Sequence, residues 1–164
     1  MVIIPQLPKP EEPRIYNWLP ELIKIAGEIN ENTFFVGHSM GNQVIIRLIE
    51  SLPNNISVGG AVFVAGFLKR LTNLEDDDIV RDVVKHWLET PIDLVKVQSH
   101  LLKAVAIFSD NDPYVPMDNQ DLFRDQLNAK IIIEHNKGHF SGNDSDQTFN
   151  LPIVLETINE LINP

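Results

Sequence analysis

The chain has 164 residues, of which 43% are hydrophobic and 22% are charged. This composition is that of an ordinary globular protein, and the length fits a single domain, residues 1–164. The 23 acidic and 13 basic residues give a formal net charge of −10, which argues against nucleic acid or an anionic membrane as a partner. The chain has no cysteine, which excludes disulfides, thiolate metal sites and cysteine nucleophiles.

The beginning of the chain resembles no targeting segment. Residues 1–13 lack a basic stretch followed by a long apolar run, so the sequence does not predict a signal peptide. No uninterrupted apolar run approaches the roughly 18 residues that would span a bilayer. We therefore expect a cytoplasmic protein.

Five short apolar runs are rich in β-branched or aromatic residues and do not alternate with polar ones. They are Val2–Ile4, Thr33–Val36, Ala61–Val64, Ala104–Phe108 and Ile131–Ile133. Such runs are typical of strands that are buried on both faces of a parallel sheet.

Four segments with apolar residues at helical spacing lie between and after these runs. One has Asn17 as a candidate N-cap, one ends at Pro53, one opens at Asp118, and one begins at Leu151. The alternation of strand and helix predicts an α/β sheet with crossover helices.

Residues 67–100 interrupt this alternation. The segment Asp78–Leu88 has apolar residues at helical spacing, and Pro91 starts another short element. Insertions after a strand of an α/β fold commonly lie over the carboxyl edge of the sheet, where ligands bind. We therefore expect a small cap-like insertion whose Phe67 and Trp87 contribute to substrate binding.

Gly37-His38-Ser39-Met40-Gly41 lies between a predicted strand and a predicted helix. This is the G-x-S-x-G motif in the context that a nucleophile elbow requires, with the serine hydroxyl raised above the edge of the sheet. We expect the turn to bring other backbone segments too close for side chains at both glycines. The Met40 N–H is a candidate donor to an oxyanion at the helix N-terminus.

A serine nucleophile needs a base, and the base needs an orienting carboxylate. In this fold an acid and then a histidine follow the serine, each after a later strand. Asp110 and Asp112 follow the fourth predicted strand and His139 follows the fifth. His38 lies beside Ser39, but its side chain leaves the turn in another direction, so we interpret it as a pocket or packing residue.

Two acidic clusters, residues 75–78 and 143–146, raise the question of a metal site. Neither has the spacing of a calcium loop, and no pair of histidines has a zinc-binding spacing. We predict that no metal or other cofactor is required.

The chain resembles a group of small serine hydrolases similar to retinoblastoma-binding protein 9. The resemblance covers nearly the whole chain and is carried by residues 5–8, 11–14 and 18, the segment Val36–Gly41, Ser109, Asp112-Pro113, Pro116 and Gly138-His139-Phe140. It implies an α/β-hydrolase fold, a three-layer α/β/α sandwich, and activity like that of esterases and peptidases on small substrates. It also implies that Asp112, directly before a proline, is the acid.

Compared with the family that it resembles, the sequence lacks one opening unit, which consists of a strand, a His-Gly-type loop and a helix. The missing strand would lie between the strands equivalent to Val2–Ile4 and Thr33–Val36, and its loop normally supplies a second oxyanion donor. Truncation, a mis-assigned start, and closure by direct pairing or by a partner molecule, including self-association, remain open as explanations. Because losing one donor costs about 10²- to 10³-fold in kcat, we expect slow turnover.

The sequence therefore predicts an N-terminally shortened α/β-hydrolase that cleaves a carboxylic ester, thioester or amide. In this reading Ser39 is the nucleophile, His139 the base and Asp112 the orienting acid. The alternative is a catalytically weakened binding module on the same fold. A flavodoxin-like nucleotide-binding domain would need a glycine-rich loop after the first strand, and residues 6–10 contain no glycine.

Overall fold

The predicted alternation of strand and helix is present in the computed structural model, which describes residues 1–74, 77–143, 146 and 148–163. In chain order its elements are α1 (Ile15–Ala26), β1 (Phe34–His38), α2 (Met40–Glu50), β2 (Gly60–Val64), α3 (Asp78–Glu89), α4 (Leu94–His100), β3 (Ala104–Ser109), α5 (Asn119–Leu127), β4 (Lys130–Glu134) and α6 (Pro152–Ile162). The fold class is therefore confirmed.

The strands form one parallel sheet in the order β1-β2-β3-β4. Phe63 pairs with Gly37 on one side and with Ala106 on the other. All residues of β2 and β3 are buried, which explains why these runs are continuously apolar. Because all strands run in the same direction, the loops after β1, β3 and β4 meet at one edge of the sheet.

Helices cover both faces of the sheet. Phe63 packs its ring against that of Phe123 in α5, with centroids 5.3 Å apart, and α1 and α4 pack on α2. A Cβ added to Gly37, which shares this face, would lie 2.8 Å from Ile45 of α2. A Cβ at Gly60, on the other face, would lie 3.4 Å from Leu161 of α6. The architecture is thus a three-layer α/β/α sandwich.

The predicted strand Val2–Ile4 is wrong. These residues form no strand, and Val2 and Ile4 are 89% and 91% exposed. A strand needs a neighbour that bonds its N–H and C=O groups, and among the described residues none lies beside this segment or along the outer edge of β1. In β1 itself Val36 remains 49% exposed.

The helix boundaries differ from the predicted ones by a few residues. The N-cap of α1 is Arg14 and not Asn17, and α2 begins at Met40, directly after Ser39. Asp77 caps α3 through its carboxylate, which accepts the N–H groups of Ile79 and Val80. Residues 75 and 76 of the first acidic cluster, and 144 and 145 of the second, lie outside the described residues.

The described helices are 7 to 12 residues long. None of them combines enough residues with enough apolar character to cross a membrane.

Candidate active site

Ser39 occupies a strained turn between β1 and α2. Its φ and ψ are 51° and −120°, and a positive φ is uncommon for a residue other than glycine. The Ser39 N–H donates to the carbonyl of Val64 at the end of β2, at 2.9 Å, which fixes the turn on the sheet. This is the backbone conformation that a nucleophile elbow requires.

The two glycines of the motif have different surroundings. A Cβ at Gly37 would lie 2.5 Å from Oδ1 of Asn42 and 2.8 Å from Cδ1 of Ile45, whereas nothing lies within 4 Å of a Cβ at Gly41. The expectation of crowding therefore holds for Gly37 and is wrong for Gly41. Gly41 lies in the first turn of α2, on a side that the described chain leaves open.

The structure brings Ser39, His139 and Asp112 into hydrogen-bonding contact. Oγ of Ser39 lies 2.9 Å from Nε2 of His139, and Nδ1 of His139 lies 2.9 Å from Oδ2 of Asp112. The three residues come from the loops after β1, β4 and β3. A hydroxyl, an imidazole and a carboxylate joined in this order form the arrangement that activates a serine for nucleophilic attack.

The carboxylate of Asp112 is held from both sides. Its Oδ1 accepts the N–H groups of Tyr114 and Val115 at 2.8 and 3.0 Å, while Oδ2 faces His139. The Asp112 side chain is only 2% exposed. These bonds fix the orientation of the carboxylate, so that Oδ2 faces the imidazole.

Asp110 has a different histidine as its partner. Its Oδ2 lies 2.6 Å from Nδ1 of His135, and its Oδ1 accepts the N–H of Asn136. The Asn136 N–H, followed by the contact with His135, lowers the pKa of Asp110. The same contact raises the pKa of His135. Asp110 therefore joins the loops after β3 and β4 at the surface.

Asn111 and Ser109 join the same two loops from inside. Oδ1 of Asn111 accepts from the Gly138 N–H and from the Ser109 hydroxyl, both at 2.8 Å. Oγ of Ser109 in turn accepts the Lys137 N–H at 3.0 Å. These bonds support the segment that leads directly to His139.

Asp146 supports the loop on the other side of His139. Its Oδ2 accepts the N–H and the hydroxyl of Ser141 at 2.7 and 2.6 Å, and its Oδ1 accepts the N–H of Thr148. The bond from the Ser141 hydroxyl is the largest of the effects that lower the pKa of Asp146 to about 2. Asp146 is thus part of the local structure of the loop that follows His139.

His38 lies outside the pocket at Ser39. Its Nε2–H donates to the carbonyl oxygen of His139 at 2.7 Å, and the two rings are 5.0 Å apart between centroids. Desolvation lowers the pKa of His38, which favours the neutral ring. His38 lines the groove beside Val36 and Phe140 and not the cavity at Ser39. Of the two expected roles, substrate pocket or packing, the structure agrees with packing.

A mostly apolar cavity of about 370 Å³ opens at Ser39 and His139. Its apolar walls come from the turn after Ser39, the segment after β2 and helix α3. They are formed by Met40, Phe67, Leu71, Leu74, Val80 and Val84, with Tyr114, Asn73 and Asp77 at the polar positions. The expected positions of Phe67 and of α3 beside Ser39 agree with this arrangement.

Trp87 does not line this cavity. It lies two helical turns beyond Val80, about 10 Å along α3, and its ring is fully buried. Its Nε1–H donates to the carbonyl of Pro13 at 2.9 Å, and its ring lies against that of Trp18. The expected substrate-binding role of Trp87 is therefore corrected to a packing role.

Several lining residues were not identified from the sequence. Asn73 and Leu74 lie in a stretch without periodicity, which gives no signal of its own. Tyr114, by contrast, is two residues after Asp112, and its ring lies 5.3 Å from that of His139. Its position in the loop after β3, which carries Asp112, is a sequence signal that could have identified it as a residue of the site.

Among the described residues, no group of three or more histidine, aspartate or glutamate side chains is arranged to hold a metal ion.

Two solved structures, among others, share the fold of this chain. The crystal structure of YdeN from Bacillus subtilis superposes with a TM-score of 0.83 at 26% identity, covering 97% of this chain and 81% of that one. The meta-cleavage product hydrolase CumD of Pseudomonas fluorescens superposes with a TM-score of 0.62 at 15% identity, covering 93% and 74%. The second similarity shows the α/β-hydrolase fold alone.

Comparison of sequences gives the family. YdeN of Bacillus subtilis is 29% identical over 153 residues, 93% of this chain and 75% of that protein. The serine hydrolase RBBP9 of Rattus norvegicus is 23% identical over 138 residues, 84% of this chain and 68% of that protein. A family model described as serine hydrolase matches residues 3–157. The chain therefore belongs to the serine hydrolase family and has an α/β-hydrolase fold.

Proposed function

We propose that the chain hydrolyses a carboxylic ester, thioester or amide of a small substrate through an acyl-enzyme on Ser39. One observation carries this proposal. The line of hydrogen bonds from Ser39 through His139 to the buried Asp112 is unbroken, with both contacts at 2.9 Å. It stands at the mouth of an apolar cavity, as a site for small acyl groups would.

In the proposed mechanism Nε2 of His139 takes the proton of Ser39 as Oγ attacks the substrate carbonyl carbon. Asp112 holds Nδ1–H, which keeps the imidazole in the tautomer that can accept at Nε2 and stabilises the imidazolium that forms. His139 then protonates the leaving group, and the acyl group remains on Ser39. Water, activated by the same imidazole, attacks the acyl-enzyme and releases the acid.

The Met40 N–H is proposed as an oxyanion donor. Met40 is the first residue of α2, and amides of a first helical turn have no acceptor within the helix. The positive end of the helix dipole points the same way. The Met40 N–H is therefore already in position to stabilise the negative charge that develops on the substrate carbonyl oxygen in the transition state.

The lining of the cavity favours an uncharged, apolar acyl group. Asp77 is the one acidic residue among its described lining residues, and no lysine or arginine is among them. A negatively charged acyl chain would be repelled by Asp77 and would find no cation in this wall. Neutral aliphatic or aromatic acyl groups are therefore the proposed substrates.

We further propose that the insertion at residues 67–100 provides a small cap within one domain, 1–164. The support is that Val80 and Val84 of α3, together with Phe67, face the same cavity as Ser39. Helix α4, by contrast, packs on α2 and α5. The cap is therefore the part of the insertion up to the end of α3.

Labelling with a fluorophosphonate tests the nucleophile. Mass mapping should find the label on Ser39, and Ser39→Ala should abolish it. Ser99→Ala is the control, because Ser99 is exposed and lies in α4, away from the cavity. A label on any other serine, or full labelling of the Ser39→Ala protein, would show that the assignment is wrong.

A binding module on the same fold is the second candidate. It is favoured by the outer edge of β1, which no other strand of the described residues covers and where Val36 is 49% exposed. The resemblance implies a further strand and a second oxyanion donor at this edge in the family. Closure of this edge by a second copy is one form of this candidate. Turnover decides between the two candidates, because a binding module labels slowly at Ser39 and hydrolyses no ester catalytically.

The resemblance adds a matched comparison to that test. If a donor is missing, a version extended upstream by a strand and a His-Gly-type loop should raise kcat by about 10²- to 10³-fold. Equal kcat/KM for the short chain and the extended one would mean that another group supplies the donor.

A further inference from the structure

Arg47 is a buried cation two turns after Ser39 in α2. Its side chain is directed away from solvent, and the residue is 3% exposed. Nη1 donates to Oε1 of Gln43 at 2.5 Å, and Nη2 donates to the carbonyls of Trp87 and Thr90 at 2.7 and 2.8 Å. The guanidinium also lies 5.2 Å from the centroid of the Trp87 ring.

These acceptors lie at the end of the proposed cap. Trp87 is in the last turn of α3 and Thr90 is its C-cap. Carbonyl groups at a helix C-terminus have no partner within the helix and form the negative end of its dipole. A cation at this position therefore satisfies two orphan carbonyls and fixes the end of α3 against α2.

Gln43 connects the same pair to the cavity wall. It is 1% exposed, and its Nε2 donates to the carbonyl of Phe67 at 2.5 Å. Phe67 forms part of the wall at Ser39. Gln43 and Arg47, one turn apart on α2, thus hold both the beginning and the end of the cap.

Stability alone does not explain a charge at this position. Burial lowers the pKa of Arg47 to about 10, and Nε has no hydrogen-bond partner among the described residues. Replacing buried charged groups by apolar ones of similar volume often leaves stability unchanged or increases it. What the guanidinium adds is directional: a planar fork that joins three acceptors at fixed angles.

We propose that Arg47 and Gln43 are positioning residues that set the acyl-chain specificity of the site, because they hold Phe67 and α3 over Ser39. This inference rests on the proposed function. Neither side chain lines the cavity, so neither touches the substrate. Loosening them should change how well longer acyl groups are held and should leave the reacting atoms in place.

The test uses Arg47→Met and Gln43→Met, which keep an apolar body of similar length. Initial rates are measured on p-nitrophenyl acetate, butyrate and hexanoate. We expect KM for butyrate and hexanoate to rise by about tenfold or more, and kcat for acetate to stay within about threefold. Ile49→Val, in the buried part of α2, is the control for a general loss of packing. It should change neither KM for butyrate and hexanoate nor kcat for acetate by these factors.

Hydrogen exchange of the α3 amides supplies a second readout that does not depend on activity. Exchange within residues 78–89 should be faster in Arg47→Met than in Ile49→Val at equal distance from their melting temperatures. Unchanged exchange and an unchanged chain-length profile would overturn the inference while the proposed function stands. An inactive, unlabelled wild-type protein would overturn the proposed function and the specificity role, and exchange would still decide whether Arg47 holds α3.

Discussion

Oδ2 of Asp112 lies 2.9 Å from Nδ1 of His139, and the two side chains are only 2% and 14% exposed. A second acid–imidazole pair, Asp110 and His135, has an even shorter contact of 2.6 Å, but its side chains are 39% and 77% exposed. Water screens the second pair much more than the first. The shorter distance would favour Asp110 and His135 as the acid and base. Burial and the contact of His139 with Ser39 favour Asp112 and His139 for the proposed chemistry.

We expect Asp112→Asn to lower kcat by about 10⁴-fold, because an amide at this position favours the wrong tautomer of His139. Asp110→Asn should have a much smaller effect, since its carboxylate reaches His135 and not His139. Steady-state kinetics of the two variants on the same ester provide the measurement. A larger loss for Asp110→Asn than for Asp112→Asn would contradict the proposed roles.

The two glycines of the elbow should respond differently to alanine. Gly37→Ala places a Cβ against Asn42 and Ile45, and overpacking of this kind costs about 1–3 kcal/mol. Gly41→Ala meets open space in the first turn of α2 and should change stability by less than about 1 kcal/mol, in the stabilising direction, because alanine favours a helix. Urea unfolding of both variants measures the difference, and similar losses for both would refute it.

The pair Asp110–His135 should give the stability a defined pH dependence. The contact raises the pKa of His135 above its ordinary value of 6.5, so its contribution is present below that pH and is lost as the pH rises through the raised pKa. The lowered pKa of Asp110 makes its contribution present above its ordinary 3.8 and lost in stronger acid. His135→Gln should therefore reduce the melting temperature more at pH 5.5 than at pH 8.5.

Asp110→Asn is the control for that experiment. With the carboxylate removed, the effect of His135→Gln should become the same at both pH values. If His135→Gln lowered the melting temperature more at pH 8.5 than at pH 5.5, the prediction would be wrong.

His38 should affect the rate rather than substrate binding. Its Nε2–H holds the backbone of His139, and a small displacement of a reacting group can cost up to about 10²-fold in rate. We expect His38→Leu to lower kcat by about tenfold or more with little change in KM, and His38→Gln, which keeps an N–H donor, to recover part of the loss. An increase in KM at unchanged kcat would instead indicate contact with the substrate.

Much of this architecture could be predicted from local patterns. The continuous apolar runs of β2 and β3 follow from burial on both faces of the sheet, and the order of Ser39, Asp112 and His139 follows from where their strands end. The resemblance selected Asp112 over Asp110. In the structure Asp112 is the carboxylate that contacts His139, while its role in catalysis stays a prediction.

What could not be predicted depends on contacts between distant segments. Val2–Ile4 has the composition of a strand, but composition does not supply a neighbour to pair with. Trp87 follows Val80 at helical spacing, so both were expected on one face of α3. Trp87 lies farther along the helix, where its side chain contacts Arg47 and Pro13 instead of the cavity. His38 and Gly41 were interpreted from the motif alone, and their surroundings are set by the loop at His139 and by the open side of α2.

The open edge of β1 has a consequence for how copies of this protein behave together. No strand among the described residues pairs with the outer edge of β1, so this edge, beside the half-exposed Val36, is a template onto which another strand can add. At neutral pH a net charge of −10 keeps copies apart. That repulsion fades near the isoelectric point of about 4.8 and at high ionic strength. The negative charge of the chain therefore protects it from association through this edge. Mild acid or concentrated salt removes this protection.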